Sequence, residues 1–322
     1  MKSRPALIII LGRSIKLEEY NVFINKIIIG VEEKLGKGYE VKTERILKNN
    51  SCEYQSLLIC NVGSGNEECR VSPAIRMDCW YDLYKEGFCM ERIIDEILAA
   101  YDKGIKEAET IKGMCCDGEN IASHIFFKVI NASRNTEILN NSPHVLFEDL
   151  AVTFHYMCSN DGSMLQSFRV TEKIAKEWGM SADDLMGYAM KNAPVMFPEK
   201  FMNMESVVND LCMVRGESEC DDSSSKIEIP MYVLTNESGF NGASAILYSK
   251  NLEKLAERYN SNLYILPSSI HEVILLPQCE YDDIKGLREL VKEVNENHVE
   301  LIERLSDNVY LYNAKKKKIQ II

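Results

Sequence analysis

Met231-Tyr232-Val233-Leu234-Thr235 opens the stretch that decides the fold class. Its tyrosine, valine and threonine suit a pleated surface, so the run reads as a strand. Asn236 to Gly242 reads as a loop, and Ala243 to Tyr248 as a strand that pairs back. A helix follows through Leu252, Leu255 and Tyr259. Leu263 to Leu266 is a strand, Pro267-Ser268-Ser269 a turn, and Glu272 to Leu276 a further strand. A second helix spans about 282–297, Val309 to Tyr312 closes as a last strand, and Lys315 to Lys318 form a tail. This β-β-α-β-β-α-β order predicts an α+β protein with antiparallel sheets and helices packed on one face.

Moving toward the N-terminus, residues 215–226 carry Glu217, Glu219, Asp221, Asp222 and three serines, and almost nothing to bury. Such a run predicts an exposed acidic loop and marks a boundary. The middle region, 114–214, starts with an apolar strand, Ile125 to Ile130, followed by a short helix over 131–139. Leu150 to Met157 and Met164 to Val170 read as antiparallel partners about the turn Asn160-Asp161-Gly162. Thr171 caps a helix that ends at Gly179, and Ser181 caps the next with Asp184 in the capping-box position. A further helix is expected on Phe201, Met204, Val207, Val208 and Leu211.

The region 1–113 predicts a helix over 15–35, since Tyr20, Phe23, Ile24, Ile27, Val31 and Leu35 share one face. Extended segments over 39–48 and 53–62 meet at Asn49-Asn50-Ser51, where asparagine tolerates the left-handed conformation of a tight turn. Gly63-Ser64-Gly65-Asn66 is a second turn, and Pro73 to Cys79 a third extended segment. Met90, Ile93, Ile94, Ile97, Leu98, Tyr101 and Ile105 form the clearest helical stripe. Ala6 to Leu11 is too short for a signal h-region or a membrane span and reads as a short strand or loose leader.

Composition bounds the function classes. With 322 residues, 46% hydrophobic and 27% charged, the chain falls in the globular range. Its net charge of −12 repels a phosphate backbone, and no basic patch interrupts the body of the chain, so neither nucleic acid nor membrane is an expected partner. The 11 cysteines are odd in number, contain no CxxC pair and often sit in apolar runs, which predicts reduced, structural thiols in a cytoplasmic protein without zinc. No cofactor motif is present: Gly36-Lys37-Gly38 and Gly63-Ser64-Gly65 lack the length and the Lys-Ser/Thr of a phosphate loop.

Three groups of polar residues are candidate binding positions. Ser268, Ser269, His271 and Glu272 surround a turn into the C-terminal sheet and are expected to anchor it. Ser269 and His271 sit too close in sequence to form a catalytic pair by spatial convergence. Asn131, Arg134 and Asn135 make a polar face on a short helix after an apolar strand. His144, Glu148, Asp149 and His155 flank or lie within the next strand, with spacings that match no metal-ligand motif.

Lys128-Val129-Ile130-Asn131-Ala132-Ser133-Arg134-Asn135, Pro143-His144 and Glu148-Asp149-Leu150-Ala151-Val152 resemble the middle of a bacterial family, the domain-of-unknown-function 5688 family. Met231 to Asn236, Gly242-Ala243, Tyr264 to Ile274 and Leu305 to Tyr310 resemble its C-terminal motifs. The resemblance implies a cytosolic bacterial protein of single-unit α+β architecture and transfers no catalytic residue or cofactor. The expected function is intracellular binding, of a protein or a small ligand, without catalysis. The alternatives are a hydrolase using residues around His271, Glu272, His144 and Asp149, and a mobile-element accessory protein that modulates a host factor. Oligomeric state is open at this level.

Overall fold

The computed structural model describes residues 5–62, 73–115, 121–160, 165–208 and 230–322, with side chains throughout except at 5–17, 107–115 and 160. The expected turns at 63–66 and 161–162, the acidic loop 215–226 and Leu211 lie outside what is described. Residues 1–48 with 53–116 form one compact unit, and 49–52 with 117–322 form another.

In the first unit, α1 (Pro5–Leu35) is longer than its amphipathic stripe predicts, and residues 6–11 are helical rather than a strand or loose leader. Phe23, Ile24, Ile27 and Val31 are buried, as their spacing requires. β1 (Tyr39–Leu47) and β2 (Glu53–Asn61) pair antiparallel, Tyr39 opposite Asn61 and Leu47 opposite Glu53. The third extended segment shrinks to β3 (Ile75–Arg76), and Asp78–Lys85 is helix α2. α3 (Met90–Cys115) buries Ile93, Ile94 and Ile97 against α1 and the sheet. Gly30 permits this approach: a Cβ there would lie 2.3 Å from Cδ1 of Ile94.

The second unit holds two antiparallel sheets. In one, β6 (Leu150–Asn160) pairs with β4 (Ile125–Asn131) on one side. Its other side takes β5 (His144–Phe147) and β7 (Leu165–Arg169). A 3-10 turn (Ser133–Asn135) and a short helix α4 (Thr136–Asn140) leave β4. Helix α5 (Glu172–Trp178) starts where the Thr171 hydroxyl accepts the Ile174 N–H and stops at left-handed Gly179. Helix α6 (Ala182–Met196) starts on the Ser181–Asp184 capping box.

The other sheet has six strands in the order β13-β12-β10-β11-β9-β8. These are β8 (Glu199–Asn203), β9 (Tyr232–Asn236), β10 (Leu263–Leu266), β11 (Val273–Pro277), β12 (Tyr310–Asn313) and β13 (Lys318–Ile321). Helices α7 (Asn251–Tyr259) and α8 (Ile284–His298) bury Leu252, Leu255, Leu287 and Val291.

The α+β class with antiparallel sheets holds, but the order of the C-terminal elements differs in two places. Gly242–Leu247 is a buried 3-10 helix instead of a strand. The reason is topological: β9 already has β11 on one edge and β8 on the other, so no edge is left for residues 243–248. Phe201, expected on a helix, is part of the strand that occupies that edge. The lysine-rich segment is no tail: it is the turn of a hairpin whose second arm, β13, pairs with β12.

The cysteines also divide. Among the described residues Cys158 is buried and Cys52 and Cys60 are half-buried, while Cys79, Cys89 and Cys279 are exposed.

Candidate functional site

Asn131, Arg134 and Asn135 come together because β4 ends in a 3-10 turn. The Asn131 side-chain oxygen accepts the Arg134 N–H and the Ser133 hydroxyl, both at 2.9 Å, which closes that turn as a capping residue does. Its amide donates to the Leu305 carbonyl at 3.0 Å. Asn135 donates to the Asn131 carbonyl at 2.8 Å and to Oδ1 of Asn50 at 3.0 Å, and accepts the Asn50 N–H at 2.7 Å. Asn50 sits in the turn between β1 and β2 at φ 57° and donates onward to the carbonyls of Leu301 and Arg304. All three asparagines are buried, and each buried amide found a partner.

The segment 301–310 is the hub of this network. Asp149, in the β5–β6 turn, accepts the Ser306 hydroxyl at 2.7 Å, the Asn308 amide at 2.9 Å and the Tyr310 hydroxyl. Asn295 of α8 donates to the Ser306 carbonyl at 2.9 Å and to Oδ1 of Asp307 at 2.7 Å, and Arg134 pairs with Oδ2 of Asp307.

Ser268 to Glu272 pack on the same segment. They form the β10–β11 hairpin connection, and Leu305 and Ser306 donate backbone N–H groups to the carbonyls of Ser268 and Pro267. The Ser269 hydroxyl accepts the His271 N–H at 3.0 Å. The two groups of candidate residues are therefore joined through residues 301–307.

His271 and Glu272 lie at the rim. Nδ1 of His271 is 3.3 Å from the Asn241 nitrogen, which donates to it. Nδ1 also lies 3.1 Å from the Gly239 carbonyl, and Nε2 faces Glu303 at 3.5 Å. Burial pushes the Glu272 carboxyl up, and the charge of Glu303 adds to this, while His271 and the Ser269 hydroxyl pull it back.

The chemistry of this arrangement is that of a clamp. Both oxygens of Asp149 already accept hydrogen bonds. His144 turns its Nδ1 to the Ser142 carbonyl at 2.8 Å. Glu148 accepts the Ile321 N–H at 3.2 Å. His155 contacts the Thr153 hydroxyl at 3.2 Å. Each member of the expected hydrolytic group thus has its own neighbours. Among the described residues no three His, Cys, Asp or Glu side chains are placed to hold a metal ion.

Asn295 and Asp307 were not legible as members. Asn295 interrupts the apolar face of α8, and this was the one local signal for it.

A crevice beneath Phe240, between Phe126, Phe197 and Tyr248, has a volume of about 10 Å³, room for about one water. A groove of about 670 Å³ runs between Pro143-His144 and the starts of α5 and α6, lined also by Lys173, Lys176, Met180 and Ala182.

The fold and the network define an α+β protein of antiparallel sheets whose motif residues tie distant segments together. The chain belongs to the family of unknown function DUF5688, which it matches over residues 20–314 of 322. No curated protein and no solved structure matches it. Among the described residues, no helix is long and apolar enough to cross a membrane.

Proposed function

We propose that this chain acts inside the cell as a binding protein and takes a small ligand in the groove beside His144. The observation that carries this reading is the groove itself. Its volume of about 670 Å³ falls within the roughly 300–1,000 Å³ of small-ligand sites. It also combines an apolar wall, Pro143, Met180 and Ala182, with the polar groups of His144, Glu172, Lys173, Lys176 and Ser181.

The test is a fragment screen read by amide chemical shifts on the intact chain. Ligands that bind should move the amides of His144 and of residues 172–182. Ala182→Trp, which fills the groove, should remove those shifts and leave the remaining spectrum unchanged. Hits whose shifts cluster elsewhere and survive Ala182→Trp overturn the assignment.

A further inference from the structure

β1 lies at the edge of its sheet, whose strand order is β1-β2-β3. Among the described residues it is the longest strand in such a position. In an antiparallel ladder alternate residues turn their backbone groups toward the partner strand, and the residues between them turn theirs away. The parity is fixed here by the Val62 N–H, which donates to the Gly38 carbonyl at 2.8 Å. The register runs on from that bond, so Glu40, Lys42, Glu44 and Ile46 exchange their backbone hydrogen bonds with β2. The far side of β2 agrees: the Gln55 carbonyl accepts the Met77 N–H at 3.0 Å, so the odd residues of β2 face β3 and the even ones face β1. Tyr39, Val41, Thr43, Arg45 and Leu47 therefore point their N–H and C=O groups out of the sheet edge. Among the described residues these backbone groups have no hydrogen-bond partner.

Such a row is a template for a further strand, and proteins ordinarily blunt it with a proline, a bulge or a short strand. β1 contains no proline, and its register with β2 is unbroken from Tyr39 to Leu47. Its charges select the occupant. Glu40, Lys42 and Glu44 are exposed and share one face. When two copies of β1 pair antiparallel through their outward residues, about a two-fold axis at Thr43, Lys42 of each copy stands opposite Glu44 of the other. The contact is made twice, at positions where the Cα atoms approach to about 4.5 Å. Tyr39 stands opposite Leu47, and Thr43 opposite itself. A slip of two residues sets Lys42 against Lys42 and Glu40 against Glu44 in one direction, and Glu44 against Glu44 in the other. Like charges directly opposite are destabilising, so the charges favour the centred register.

We propose that β1 is a dimerisation edge whose occupant is β1 of a second copy of this chain, centred on Thr43. Pairing joins two three-stranded sheets into one of six strands. The same edge is used on both copies, so the assembly closes at two. This edge belongs to the unit that does not contain the groove at His144, and the proposal does not rest on the reading given for that groove.

The experiment is sedimentation velocity on the intact chain across a dilution series. A reversible monomer–dimer equilibrium is expected. Thr43→Pro removes an outward N–H and leaves every β1–β2 bond in place, so it should sediment as a monomer with the circular dichroism of wild type. Lys42→Glu and Glu44→Lys each set like charges opposite one another and should raise the dissociation constant roughly tenfold, since two pairs are lost together. Combining the two substitutions restores opposite charges and should recover wild-type dimerisation. A wild-type chain that stays monomeric at the highest concentration, which leaves the edge to a strand of some other protein, overturns the proposal. So does a dimer that persists in Thr43→Pro, or a double variant that dimerises no better than the single ones. If Thr43→Pro does not fold, the charge reversals, both at exposed positions, carry the same comparison.

Discussion

Asn50 and Asn135 clasp each other reciprocally. The Asn135 amide donates to Oδ1 of Asn50 at 3.0 Å, and the Asn50 backbone N–H donates to Oδ1 of Asn135 at 2.7 Å. Eighty-five residues separate them in sequence. Asn135 is 1% exposed, so water cannot substitute for a lost partner. Asn135→Ala leaves the buried Asn50 N–H unpaired and is expected to lower unfolding free energy by about 1–3 kcal/mol. Asn135→Asp keeps the shape but removes two donors and adds a buried charge, and should cost more than the alanine variant. Urea denaturation of the three proteins checks the order; an alanine variant as stable as wild type contradicts the clamp.

Gly242 lies where chain segments meet most closely. A Cβ there would stand 2.0 Å from the Thr235 hydroxyl and 2.4 Å from the His271 carbonyl. The second of these is backbone and cannot swing away. Gly242→Ala should therefore destabilise by about 1–3 kcal/mol through overpacking. The loop carrying Phe240 should also shift, seen as a changed Phe240 environment by aromatic NMR. A melting temperature equal to wild type rules this out.

Glu272 gives a pH signature of definite sign. Burial raises its carboxyl pKa above the ordinary carboxylate value, so the folded state binds the proton more tightly than the unfolded one. Its contribution to stability is complete below the unfolded value and is lost as pH rises through the folded one. Glu272→Gln removes that loss. The variant should match or exceed wild-type stability at pH 7 and lose the advantage near pH 4. Melting curves at both pH values decide it, and a variant less stable at pH 7 than at pH 4, relative to wild type, runs against the prediction.

His155 has the opposite sign. Its folded-state pKa lies well below 6.5, held there by burial and by Lys128 and Arg169. The unfolded chain therefore binds the proton more readily, and the stability His155 contributes is present above pH 6.5 and lost as pH falls. Denaturant midpoints of wild type should drop between pH 7 and pH 5, and His155→Gln should flatten that drop. Equal slopes for the two proteins would show that His155 protonates as freely in the folded state as in the unfolded one.

What could be read from the residues alone was local. The stripe from Phe23 to Val31 faces the core because a 3.6-residue period leaves one side apolar. Thr171, Gly179, Ser181 and Asp184 bound their helices because capping satisfies backbone groups within a few residues. Asn50 adopts positive φ in the β1–β2 turn for a reason internal to asparagine. Family membership was also legible, since short motifs survive intact in the linear chain.

Tertiary structure alone decided the rest. Residues 243–248 have the composition of a strand, yet they became a 3-10 helix because residues 199–203 had taken the edge of β9. Pairing depends on which edge is vacant, and a segment carries no record of its competitors. The same holds for the site. Asn131, Arg134 and Asn135 were visible as a polar face, but Asn50, Asn295 and Asp307 joined them only when chain segments far apart in sequence were packed. Arg169 meets His155 solely through the β6–β7 register. Local conformation follows from forces acting over one or two turns of chain, whereas burial, hydrogen-bond partners and charge neighbours are properties of the whole packed unit.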